Sequence, residues 1–139
     1  MSVLLVEDDE YAREIVAGVL EASGLTVTTA RTGEEALDLL EQGYTYDLLL
    51  TDIQLPGAHD GWSVAVEARR HRPEIAVVYV SASHQQKCPV TRSVFLRKPL
   101  RPNLLLQIVG TLLGRPLPLS SGRSKPVTDA RIGPASYLH

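Results

Sequence analysis

The chain has 139 residues, 44% of them hydrophobic, which suits one compact domain with little left for a second. No apolar run approaches the roughly 20 residues of a membrane span, no secretory leader is expected ahead of Val3, and a single cysteine, Cys88, excludes an intrachain disulfide. The net charge of -2 is uneven: residues 1–114 hold 10 basic and 15 acidic side chains, whereas 115–139 hold four basic residues and one acid. An acidic body argues against direct nucleic-acid binding, and a cytoplasmic location is expected.

Short apolar runs alternate with helix-like segments. Val3-Val6 reads as a first strand, and residues 11–23 follow with Ile15, Val16, Val19 and Leu20 on one stripe and Gly24 as the stop. Leu25-Thr29 reads as a second strand. Thr32-Gly33-Glu34-Glu35 is a capping box that opens a helix over 33–42. Tyr46-Thr51 is the third strand, and 61–71 is a helix that closes on Arg69-Arg70-His71-Arg72, where cations suit the dipole. Ile75-Val80 and Val94-Leu96 are the fourth and fifth strands, and 103–113 is the last helix. Near-continuous apolar strands separated by helices predict an α/β, doubly wound, five-stranded parallel sheet with a flavodoxin-like order.

Two stretches break this rhythm. Residues 82–93 carry Pro89 and no 3.6-residue period, so a short turn or irregular loop is expected where a fourth helix belongs. Beyond Gly114 the chain turns rich in Pro and Ser. The expected division is a domain over 1–114 and a mostly disordered tail over 115–139, with Tyr137-Leu138 able to dock.

In such a sheet, ligands bind beyond the carboxyl ends of the strands, where the strand order reverses. The residues arriving there are Glu7, Asp8, Asp9 and Glu10 after the first strand, Asp52 after the third, Ser81 after the fourth and Lys98-Pro99 after the fifth. Clustered carboxylates need a cation, and oxygen-only ligands select a hard one, with Mg²⁺ the best fit. A carboxylate can act as the nucleophile toward phosphorus, a hydroxyl can bind a phosphoryl oxygen, and a lysine can balance the incoming charge. Each feature alone has an ordinary explanation, such as helix-start acids, Asp turn chemistry or a Ser cap. Their joint occurrence at successive strand ends points to Mg²⁺-dependent phosphorylation of an aspartate. The remaining residues have plainer readings. His59, His71, His84 and His139 lack metal-ligand spacing, Trp62 packs at a helix edge, and Cys88 has no base nearby in sequence.

The segments VLLVEDDEYAREIV, YDLLLTDIQLPGAHDGW, VVYVSAS and VFLRKPL, spread over residues 2–113, resemble the CheY-like receiver domain of bacterial two-component response regulators. The resemblance implies that Asp52 is the phospho-acceptor. Asp8, Asp52 and the backbone carbonyl of Gln54 then ligate Mg²⁺, and Glu7 acts through water. An alternative register pairs Asp8 with Asp9. The resemblance further makes Lys98 the catalytic lysine, Ser81 the switch hydroxyl and Phe95 the switch aromatic, a ring without the hydroxyl a Tyr would carry. Gln54 and Ser83 flank the site, where side chains tune hydrolysis. The implied partners are a sensor histidine kinase or histidine phosphotransfer protein as donor, and a downstream protein as target.

Two departures from that pattern stand out. Only 17 positions separate Ser81 from Lys98, and one extra residue sits in Pro56-Gly57-Ala58-His59-Asp60-Gly61. The leading expectation is a single-domain response regulator in a phosphorelay, which switches protein–protein interactions or passes the phosphate on, rather than an enzyme, with no contact to membrane or nucleic acid. The alternative is a receiver-fold protein-binding module that works without phosphorylation. An Asp-nucleophile phosphatase fits less well, because Asp52 is followed by Ile53-Gln54 and not by the Asp-x-Asp pattern.

Overall fold

The structure, a computed structural model, describes residues 1–83 and 90–118. The expected loop over 82–93 lies in part, and the tail beyond Pro118 wholly, outside the described residues, as do Cys88, His84 and His139. Nine elements follow in chain order: β1 (Ser2–Val6), α1 (Glu10–Ala22), β2 (Thr26–Ala30), α2 (Gly33–Glu41), β3 (Leu48–Asp52), α3 (Gly61–His71), β4 (Ala76–Ser81), β5 (Ser93–Arg97) and α4 (Pro102–Leu113). All strand pairs are parallel, in the order β2-β1-β3-β4-β5. The chain moves outward from β1 to β2 and then crosses back over β1 to β3. The switch in direction therefore falls between β1 and β3, and the crevice at their carboxyl ends is the ligand position of this topology.

Alternate strand residues feed two cores. Leu4, Val6, Leu49, Tyr79 and Phe95 face Ala36 and Leu40 of α2 and Val64, Ala65 and Ala68 of α3. Val3, Leu5, Leu48, Leu50, Val78 and Leu96 face Leu20 of α1 and Leu105, Leu106 and Val109 of α4. With both faces covered, β3 and β4 are buried at every position, which is why their sequence shows no polar alternation.

Helix starts follow the sequence signals, with one refinement. Asp9 caps α1 by accepting from the Ala12 amide at 2.8 Å, and Asp60 caps α3 by accepting from the Ser63 amide at 3.0 Å. Thr32 accepts from the Glu35 amide at 3.0 Å, as the capping box predicts. The Glu35 carboxylate, however, reaches past Thr32 to the Arg31 amide at 2.8 Å, and pairs with the Arg31 guanidinium as well. Gly24, at φ +94°, follows α1, and Gly114, at φ +76°, ends α4.

One expectation is corrected. Ile15 belongs to the predicted apolar stripe of α1, yet it stands 47% exposed; Leu20 is the one buried residue of that helix. Val16, Ala17 and Val19 pack against the core with Leu20, whereas Ile15 lines the groove beside Glu7 and Lys98. Contact with the core does not stop at Gly114. The Arg115 amide donates to Gly110 O at 3.0 Å, Leu117 is buried, and the Ser23 hydroxyl donates to Pro118 O at 3.3 Å. Gly110 makes this return possible, since a Cβ there would stand 2.8 Å from Arg115 O.

Of the stretch between β4 and β5, residues 82–83 and 90–92 are described, and none of them is helical. Trp62 of α3 packs its ring on Tyr79 with centroids 4.4 Å apart, and it lies against the cluster that holds Phe95. A large ring on α3 thus covers part of the sheet face near β4 and β5. No helix among the described residues is long and apolar enough to cross a membrane.

Candidate phosphoryl-acceptor site

Four strand ends deliver the predicted side chains to one place. Glu7 follows β1 and is buried, with Asp8 beside it and exposed. Asp52 ends β3 and is 5% exposed; Ser81 ends β4 and is buried. Lys98 follows β5, its amide donating to Ser81 O at 2.9 Å and so continuing the strand ladder by one residue. The Lys98–Pro99 peptide is cis.

The Lys98 ammonium lies 2.9 Å from Asp52 Oδ1 and 3.2 Å from Asp52 Oδ2, and it donates to Glu7 Oε1 at 3.2 Å. One cation therefore joins two buried carboxylates. Glu7 is held from its other side, because the Asp9 amide donates to Glu7 Oε2 at 3.0 Å and Arg13 Nη1 donates to Glu7 O at 2.9 Å. Those contacts give Asp9 its role: its carboxylate caps α1 and its amide orients Glu7. Glu7, Asp8 and Asp52 bring one carboxylate oxygen each within 4.8 Å of one another. Asp9 is not part of this cluster. Three carboxylates with oxygen donors only, one of them open to solvent, fit a hard divalent cation such as Mg²⁺.

The electrostatics follow from burial. Desolvation, reinforced by the neighbouring Glu7 carboxylate and opposed by Lys98, pushes the Asp52 carboxyl up to about 8. For Lys98, burial works to lower the ammonium, but Asp52 and Glu7 outweigh it and hold the group above its ordinary value. The site is thus short of positive charge, the condition a divalent cation relieves.

The other predicted residues fall around this centre. Ser81 Oγ accepts from the Ser83 amide at 3.0 Å and lies 3.1 Å from Ser83 Oγ. Phe95 pairs with Tyr79 across β4 and β5 and is 2% exposed, so its ring is already turned into the core. Gln54 is exposed, two residues beyond Asp52. Two features escaped sequence reasoning. A Cβ at Gly61 would stand 2.1 Å from Asp52 O, so only glycine lets α3 begin against Asp52. Exposed Tyr11 and Ile15 of α1 flank a groove of about 550 Å³ that runs from Glu7 and Lys98 to Pro99 and Leu100. An apolar residue at the first turns of α1 was the available signal, but periodicity alone assigns such residues to the core.

Fold and site together define a doubly wound α/β domain with an acidic, lysine-paired crevice at the switch point. The family model of the response regulator receiver domain matches residues 3–110, and the chain belongs to that family. Membership implies phosphoryl acceptance in two-component signalling. Among curated relatives, a cyclic di-GMP phosphodiesterase of Thermotoga maritima is 35% identical over an alignment of 121 residues that covers 83% of this chain and 32% of that protein. Response regulator SaeR of Staphylococcus aureus is 27% identical over 118 residues, 81% of this chain and 50% of its own length. The chain spans half or less of the length of these two relatives. Among solved structures, a response regulator receiver protein from Sinorhizobium medicae superposes with a TM-score of 0.79 at 30% identity, over 82% of this chain and 94% of that one. The receiver domain of the hybrid histidine kinase CckA superposes with a TM-score of 0.72 at 33% identity, over 81% and 99%.

Proposed function

We propose that Asp52 is the phospho-acceptor of a single-domain response regulator, taking its phosphoryl group from a phosphohistidine on a sensor histidine kinase or phosphotransfer protein. The observation that carries this reading is the Lys98 ammonium held 2.9 Å from a buried Asp52 beside Glu7 and Asp8. Asp8, Asp52 and the Gln54 carbonyl would hold Mg²⁺, with Glu7 acting through water. Bound there, Mg²⁺ would neutralise the carboxylates and the charge that spreads over the phosphoryl oxygens.

An Asp52 carboxylate oxygen attacks phosphorus in line, the O–P bond forms, and the N–P bond to the donor imidazole breaks. Lys98 shifts from pairing with Asp52 toward a phosphoryl oxygen, so its charge stays matched throughout. Catalysis is then mainly positioning and electrostatics. The donor is a protein, and exposed Tyr11 and Ile15, beside the groove that opens at Lys98, offer it an apolar footing. Ser81 exchanges its contacts with Ser83 for the phosphoryl oxygen. The Phe95, Tyr79 and Trp62 rings repack in response, a shift between two packings that a downstream protein reads. The chain catalyses only its own phosphorylation and dephosphorylation, in the cytoplasm, over a receiver unit of 1–114 with 115–139 as its extension.

The test is transfer from a histidine kinase labelled on its phosphohistidine. Label should appear on the native chain, be lost in alkali as an acyl phosphate is, and be absent from Asp52→Asn. Label that persists on Asp52→Asn would overturn the assignment.

A further inference from the structure

The loop between β3 and α3 carries the residue expected to offer a backbone ligand, Gln54, and it is one residue longer than the receiver pattern. Surplus length loosens a loop unless something holds it. Here it is held at both ends and on its flank. At its base the Gly61 amide donates to Ile53 O at 2.8 Å, and at its exit Asp60 caps α3. On the flank, the Glu34 carboxylate in the first turn of α2 accepts from the Ala58 amide at 2.8 Å.

The surrounding fit is close. Gly57 has φ +93°, and a Cβ there would stand 2.8 Å and 2.9 Å from the two Glu34 carboxylate oxygens. His59 lies against Gly33, where a Cβ would stand 2.5 Å from His59 O, and its Nδ1 sits 3.0 Å from Ser63 Oγ. The Ala58 amide, aided by the nearby His59, holds the Glu34 carboxyl below its ordinary range. Two glycines thus let the loop and α2 approach, and one side chain ties them.

We propose that Glu34 is a positioning residue: its bond to the Ala58 amide latches the lengthened β3–α3 loop to α2 and so fixes the Gln54 carbonyl for the divalent cation. The proposal rests on the reading of Asp52 and its neighbours as a Mg²⁺-dependent acceptor site. Glu34 touches neither the cation nor the phosphoryl group.

The experiment compares the native chain of residues 1–139 with Glu34→Ala and Glu34→Gln. Mg²⁺ affinity is read by titration calorimetry and the loop by amide hydrogen exchange at Ala58. Glu34→Ala should weaken Mg²⁺ binding about three- to tenfold and expose the Ala58 amide to exchange, while Tm moves by less than about 2 °C, because an exposed surface contact carries little of the fold. Phosphoryl uptake from acetyl phosphate should slow at low Mg²⁺ and return to the native rate at saturating Mg²⁺. Glu34→Gln keeps an oxygen that can accept from Ala58 and should restore most of the affinity. Native Mg²⁺ affinity in Glu34→Ala, beside a native chain that binds Mg²⁺, would overturn the latch alone. No Mg²⁺ binding by the native chain at millimolar concentration would overturn the reading of the site and the latch with it.

Discussion

Replacing Asp52 by Asn should make the metal-free protein more stable, and increasingly so as pH rises. Asp52 is 5% exposed, and its carboxyl is raised from the ordinary 3.8 to about 8. The neutral acid is therefore the form the folded state prefers. That contribution is complete below about pH 4 and is lost as pH climbs toward and through about 8. Asn resembles the neutral acid in shape and hydrogen bonding and does not titrate. By pH 7 about three pH units of mismatch have accumulated, and at roughly 1.4 kcal/mol each they set a ceiling near 4 kcal/mol. Water at the exposed Asp8 side of the site screens part of this, so the expected gain is about 2 kcal/mol at pH 7 and under about 1 kcal/mol at pH 5. Urea unfolding of both chains in EDTA, at several pH values, measures the gap. Millimolar Mg²⁺ should narrow it, since the cation stabilises the native carboxylate set and finds a poorer site in the variant. An Asn variant that is less stable in EDTA, or a gap that does not widen with pH, would refute the reasoning.

Two other substitutions test the contacts around the site and the core. Lys98→Ala leaves Glu7 and Asp52 facing each other with no cation between them. The chain should still fold, lose stability above about pH 7 unless Mg²⁺ is present, and take up phosphate about ten- to a hundredfold more slowly; unchanged uptake in a stopped-flow or mass assay would remove Lys98 from the mechanism. Leu117→Ala removes a side chain that is 7% exposed and should cost about 2 kcal/mol, or roughly 8 °C in Tm by calorimetry. A Tm unchanged within a degree would show that the chain beyond Gly114 adds nothing to the core.

Most of the fold was legible because parallel strands buried on both faces leave unbroken apolar runs, as at Leu48-Leu49-Leu50 and Val77-Val78. Thr32 marked a helix start by the same short-range chemistry that caps it. The site residues were legible for a related reason: a doubly wound sheet puts whatever follows each strand at one edge, so Glu7, Asp52, Ser81 and Lys98 converge without any information beyond their order. What periodicity cannot supply is the fate of a helix face that runs past the edge of its sheet, and so Ile15 was placed in the core although it borders a groove. Contacts between segments far apart in the chain were equally silent. Leu117 returning over Gly110, Gly61 against Asp52, and Glu34 on Ala58 all depend on two backbones coming close, which a local pattern does not encode.

The most direct test of the central claim is the intact mass of the native chain and of Asp52→Asn after incubation with acetyl phosphate, each with Mg²⁺ and with EDTA. The account predicts one added phosphoryl group on the native chain, dependent on Mg²⁺, with fragmentation placing it on Asp52 and no gain on the variant. A phosphoryl group on Asp52→Asn, or one acquired equally well in EDTA, would contradict it.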